Sequence, residues 1–143
     1  MKNTCKKLLV FCLLLAAIVP LDVWAKRAVP QPVKPIFWDA YKIEAIGTGS
    51  SGKVFVSVMI KSRIQPKTIT IYEINYQKSL ESDVQDLYIT KLEIYKDLLI
   101  VKTEKGGIFS CDISSGKVKL IKLPQRYEQI PTTASVIKLK VKW

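Results

Sequence analysis

Residues Ile89 to Leu123, ITKLEIYKDLLIVKTEKGGIFSCDISSGKVKLIKL, decide the fold class. Leu92 and Ile94 alternate with polar neighbours, the period of a half-buried strand. Lys96-Asp97 turns the chain into Leu98-Leu99-Ile100-Val101, an unbroken apolar run that predicts a central strand covered on both faces. Glu104-Lys105-Gly106-Gly107 predicts a hairpin turn, because paired glycines accept the positive φ such turns demand. In the third strand Phe109, Cys111 and Ile113 share one face, with Ser110 and Asp112 on the other. Ser114-Ser115-Gly116 turns again, and Lys117 to Leu123 makes a fourth strand that Pro124 ends.

Upstream, Tyr41 to Ile46 predicts a strand and Gly47 to Gly52 a flexible turn. Val54, Val56, Val58 and Ile60 alternate with Lys53, Phe55, Ser57 and Met59, and Thr68 to Ile74 follows as a third strand. Tyr76 to Gln85 is polar and reads as irregular, with a short helix over Leu80 to Leu87 as the alternative. No segment sustains a 3.6-residue period, so the chain is expected to be all-β. Ile69 to Ile74 lies 39 residues before Ile108 to Ile113, and both segments end in an acid followed by isoleucine. A repeat of about 40–45 residues with four strands per unit is the period of a propeller blade.

The segments Asp97-Leu98-Leu99-Ile100-Val101, Gly107-Ile108-Phe109 and Asp112-Ile113-Ser114-Ser115-Gly116-Lys117 carry a resemblance over about 80 residues. They resemble the blades of β-propeller repeat proteins of the quinoprotein and WD40-like kind. The resemblance implies two four-stranded antiparallel blade-like units, about 41–85 and 86–123, a final strand at about 135–143, and a binding scaffold. Two units are fewer than the four to eight blades that close a propeller. A partial propeller-like sheet, protomers that complete one another, and a small β-sandwich or barrel all fit.

The first 25 residues read as a signal peptide: Lys2, Lys6 and Lys7 precede the apolar run Leu8 to Val19, and Val23 and Ala25 sit where a signal peptidase reads. The run is shorter than the ~20 residues a membrane-spanning helix needs. The mature chain is therefore expected to have no transmembrane span and to be exported, periplasmic or secreted. Residues 26–40, with Pro30, Pro32 and Pro35, read as an extended tether, and 41–143 as a single all-β domain. Cleavage removes Cys5 and Cys12, leaving Cys111 with no intramolecular disulfide partner; its alternation with Phe109 and Ile113 marks a small buried hydrophobe. Missing disulfides favour a bacterial envelope over a disulfide-dense eukaryotic secreted scaffold.

Several chemistries are excluded or poorly supported. The chain has no histidine, which removes the commonest general base, the usual zinc ligand and every His-dependent triad. Gly47-Thr48-Gly49-Ser50-Ser51-Gly52-Lys53 matches GxxxxGK, but Val54 stands where magnesium-binding Ser or Thr belongs, and a strand follows instead of a helix. Ser50 to Lys53 and Ser114 to Lys117 both read SxxK, in strand–turn–strand settings where Ser and Lys do not share a helix face. The acidic pairs Glu81/Asp83 and Asp86/Glu93 have no spacing that recommends catalysis. No enzymatic activity, cofactor or metal is expected.

Charge supplies the remaining signal. Without Lys2, Lys6, Lys7 and Asp22, the 23 basic and 12 acidic residues become 20 and 11, a net charge of +9. Lys117, Lys119, Lys122, Arg126, Lys138, Lys140 and Lys142 face a single acid, Glu128, across Lys117 to Trp143. Such asymmetry attracts polyanions such as lipopolysaccharide, cell-wall polymers or nucleic acid, whereas lysines on a strand also blunt edge-to-edge pairing. Ile137, Leu139, Val141 and Trp143 alternate with the last three lysines, as in the closing strand of an outer-membrane barrel. The other strands fall short of the ~9–11 residues a membrane strand needs, so a soluble final strand burying Trp143 is expected. Trp38 and Trp143 join the basic residues as candidate contacts. The expected role is an adaptor or accessory subunit of an envelope assembly that binds a protein partner, with polyanion binding as the alternative and homo-oligomerisation left open.

Overall fold

The computed structural model describes residues 27–58 and 66–142. Among the described residues ten strands form two sheets. β1 (Ile36–Trp38), β2 (Tyr41–Thr48), β3 (Ser51–Val58), β4 (Lys67–Ile74), β9 (Tyr127–Ile130) and β10 (Ile137–Val141) make a six-stranded sheet in the order β1-β2-β3-β4-β10-β9. β5 (Ile89–Tyr95), β6 (Leu98–Thr103), β7 (Ile108–Cys111) and β8 (Val118–Lys122) make a four-stranded antiparallel sheet in sequence order. A single helical turn, α1 (Ser82–Gln85), lies on the crossover between them. The sheets share one core and do not close into a barrel. Phe109 of β7 stacks on Tyr72 of β4, with ring centroids 5.3 Å apart, and both side chains are fully buried.

The second sheet follows the turn chemistry of its sequence. Lys96 and Asp97 both adopt positive φ (46° and 63°), the geometry of a tight turn that matches strand twist. Gly106 has φ +75°, and Thr103 and Gly107 bond across the β6–β7 turn. Asp112 accepts from the amides of Ser114 and Ser115 through Oδ1, and Gly116 (φ +73°) completes the β7–β8 turn. Phe109, Cys111 and Ile113 are buried, as their alternation requires. The expectation that Leu98 to Val101 is covered on both faces is corrected. Leu99 and Val101 are fully buried, but Leu98 is 37% exposed and Ile100 only half-buried.

The first unit departs further from the expected four strands. Among the described residues of 41–85 only β2, β3 and β4 are strands; β1 adds on one edge and β10 and β9 on the other. β1 comes from the proline-rich segment, whose Val33, Ile36 and Trp38 pack against the core. The Gly47–Gly52 stretch is mostly strand, since Gly47 pairs with Gly52 and Thr48 with Ser51. Only Gly49-Ser50 turns, and neither a phosphate-binding helix nor an SxxK helix turn follows. Residues 59–65, including Ile60, lie outside the described residues. So does the predicted signal peptide.

Three bulges set which residues point inward. Gly52 pairs with Tyr72 and Lys53 with Thr70, so Ile71 is an extra residue. The phase of β4 flips there, allowing Ile69, Ile71, Tyr72 and Ile74 all to be buried. A Cβ on Gly52 would run into the Tyr72 ring, so this position must stay glycine. Thr90 is the extra residue of β5, and Ile121 that of β8. The β8 bulge turns Lys122 outward where strict alternation would have driven it into the core.

Cys111 is fully buried, and burial, with Asp112 adding to it, pushes its thiol up from 9.0 to about 11. The native state therefore favours the protonated thiol, and that preference is lost as pH rises from about 9 through about 11. Iodoacetamide at pH 8 is expected to leave the folded protein unmodified and to alkylate the urea-unfolded chain completely, read by intact mass.

Candidate functional site

The seven basic residues singled out by sequence do not form one face. On β10, Ile137, Leu139 and Val141 are buried, so Lys138 and Lys140 project from the outer side of the six-stranded sheet. Lys140 pairs with Glu128 at 2.8 Å, and Lys138 stands in register with Glu73. Lys117 and Lys119 are exposed at and beside β8, where Lys119 pairs in register with Ser110 on the outer side of the other sheet. The two groups therefore point away from one another across the shared core. Arg126 and Lys142 form a third group at the end of the β9–β10 ladder, where the Lys142 amide donates to the Arg126 carbonyl at 2.7 Å.

Trp38 sits on β1, the sheet edge opposite β9, and stacks on Tyr41 at 6.1 Å between centroids. It is far in strand order from every lysine of β10. Trp143 lies outside the described residues.

β8 ends its sheet. It bonds β7 on one side, and among the described residues no strand pairs with the other. Val118 and Leu120 lean on the core, while Ile121 is 61% exposed and Leu123 39%. Lys117, Lys119 and Lys122 flank those apolar side chains, giving an open edge that is both apolar and cationic.

A polar cluster that the sequence did not announce ties the two sheets together. Gln85 is 1% exposed; its Oε1 accepts from the Gln77 amide at 2.6 Å, and its Nε2 donates to the carbonyls of Gln77 and Leu80 at 3.1 Å each. Tyr127 Oη lies 3.0 Å from the carbonyl oxygens of both Gln85 and Asp86 and accepts from Lys105 Nζ at 2.9 Å. Asp86 accepts from the hydroxyls of Tyr76 and Tyr88. Arg27 pairs with Glu104 and donates to the Asp86 carbonyl at 3.0 Å, fastening the proline-rich segment to the β6–β7 turn and the crossover. Burial raises the hydroxyls of Tyr72, Tyr76 and Tyr127, so each remains a hydrogen-bond donor at neutral pH. Each member has a hydrogen-bond or ion-pair partner. The arrangement holds the crossover in place.

A groove of about 360 Å³ runs between Val29–Val33 and the β2–β3 hairpin, with Tyr72 and Tyr88 in its lining. Among the described residues no group of three His, Cys, Asp or Glu side chains could hold a metal ion, and no helix is long and apolar enough to cross a membrane. No family model, curated protein or solved structure matches this chain.

Proposed function

We propose that this chain is a non-enzymatic, exported binding protein, an adaptor or accessory subunit of a bacterial envelope assembly, and that it engages its partner by adding a strand to β8. The observation that carries the reading is the open β8 edge with Ile121 61% exposed beside three lysines. An extended peptide laid along such an edge gains main-chain hydrogen bonds, while side-chain pockets and charge set its identity. The lysines disfavour a second copy of β8, because like charges would meet across the new pair. They favour an extended segment that alternates acidic and apolar residues. A polyanion reaching all seven basic residues would have to wrap both outer faces, so the edge is the simpler interface.

The test uses immobilised mature protein, residues 26–143, with envelope extract at low and high salt. A protein partner retained at high salt is expected, and Ile121→Asp is expected to reduce its capture at least tenfold while Lys138→Gln/Lys140→Gln leaves it intact. Apolar and main-chain contacts resist salt, whereas charge-driven capture washes off. Retention unchanged in Ile121→Asp would sink the edge reading. Capture of only lipid, glycan or nucleic acid, lost at high salt, would replace it with the polyanion reading.

A further inference from the structure

Beyond the β8 edge, a cleft of about 410 Å³ is lined by Val84, Lys105, Arg126, Tyr127, Val141 and Lys142. Three of its six lining side chains are cations and none is an acid. Their convergence is built by the backbone. Lys142 donates its amide to the Arg126 carbonyl at 2.7 Å, which sets the two chains side by side. Gln125 donates its amide to the Lys105 carbonyl at 2.8 Å, which brings the β6–β7 turn against the start of β9. Arg126 itself has φ +65°, a left-handed conformation that side chains other than Gly, Asn and Asp adopt at a cost in free energy.

Lys105 is the fixed member. Its Nζ donates to the carbonyls of Val84 at 3.3 Å and Asp86 at 3.1 Å and to Tyr127 Oη, and it rests 4.9 Å from the centre of the Tyr127 ring. Its charge is held half-buried, and its proton is disfavoured first by that burial and then by the nearby Arg27, with Arg126 also contributing. The nearby carboxylates are otherwise engaged: Glu104 by Arg27, Asp86 by Tyr76 and Tyr88, and Glu128, which also feels Lys142, by Lys140. Among the described residues neither Arg126 nor Lys142 has an ion-pair partner, unlike Lys140 two residues earlier. Three cations gathered around one concavity repel one another, and a bound anion relieves that repulsion.

We infer that this cleft is a binding site for a phosphate-bearing ligand with an apolar flank. Arg126 offers the planar fork that grips a phosphate through two oxygens, and Lys142 and Lys105 supply point charges beside it. Val84, Val141 and the Tyr127 ring give the apolar wall. The same chemistry fits a free phosphate ester or the headgroup of an anionic phospholipid.

Two probes separate these sources at one fixed ionic strength: inorganic phosphate, followed by calorimetry and thermal shift, and phosphatidylcholine vesicles with and without phosphatidylglycerol, followed by co-sedimentation. The variants are Arg126→Asn/Lys142→Gln, in which Asn tolerates the left-handed backbone, and Lys34→Gln/Lys138→Gln, which removes the same charge elsewhere. Binding of either probe by the wild-type chain is expected, weakened at least tenfold in the first variant and less than twofold in the second. Phosphate binding alone assigns a soluble ligand; vesicle binding assigns a headgroup. Equal weakening in both variants would reduce the effect to net charge and overturn the site, as would failure of both probes to bind.

Discussion

Replacing Phe109 by alanine is expected to destabilise the fold by about 3–5 kcal/mol, enough to lower the melting temperature by more than about 10 °C. Phe109 is fully buried and is the ring of the four-stranded sheet that stacks on Tyr72 of the six-stranded one. Truncation removes the aromatic pair and leaves a void between two layers that close it only in part, since each is held by its own hydrogen-bond ladder. The neighbours of the void are Tyr72, whose hydroxyl is anchored to the Leu87 carbonyl at 2.6 Å, and core residues already in contact. Urea denaturation followed by circular dichroism measures the effect. A loss under about 1 kcal/mol would mean that the sheets do not depend on one another for packing.

Gln85→Leu should be nearly as damaging, by about 2–4 kcal/mol, although it makes a polar side chain apolar in a buried place. The amide of Gln85 satisfies the Gln77 N–H and the carbonyls of Gln77, Leu80 and Glu81, bonds that no other side chain replaces. Leucine would leave the part-buried Gln77 N–H and Leu80 carbonyl without their side-chain partner, while the Gln77 carbonyl keeps the Leu80 amide, and each stranded group costs about 1–3 kcal/mol. Hydrogen exchange should show the Gln77 amide losing protection before the β6 and β7 amides do. If the variant matched the wild type in both stability and exchange, the crossover would not be held by this residue.

The all-β class and the four strands from Ile89 to Lys122 could be read from the sequence because alternation and turn chemistry are local. Lys96-Asp97, Gly106 and Gly116 carry the turns, and Phe109, Cys111 and Ile113 carry the buried face. What could not be read is set by pairing between distant segments. β9 is only Tyr127-Glu128-Gln129-Ile130, a polar tetrapeptide with a single fully buried residue, and it exists because β10 lies beside it. β10 pairs parallel with β4, a relation without a local signature, and this pairing makes the first sheet six strands wide instead of four.

The basic residues were plain in the composition, but their division between outer faces follows from strand phase and from the bulge at Ile121. Lys105 was visible only as part of a turn. Its place beside Arg126 and Lys142 depends on Gln125 reaching back to it, a contact that no spacing rule foretells. Gln85 was hidden for the same reason: its partners lie four to eight residues away in a segment with neither helical nor strand period.

The parallel join of β10 to β4 bears on how the chain is made. During synthesis β4 emerges with one edge open, and β10, the strand that covers it, is made only after the whole four-stranded sheet. Pairing Tyr72 with Ile137 requires closing a long loop, a step that contributes nothing to stability until it is complete. The six-stranded sheet therefore stays unfinished while its four-stranded partner, whose strands pair in sequence order, can already close.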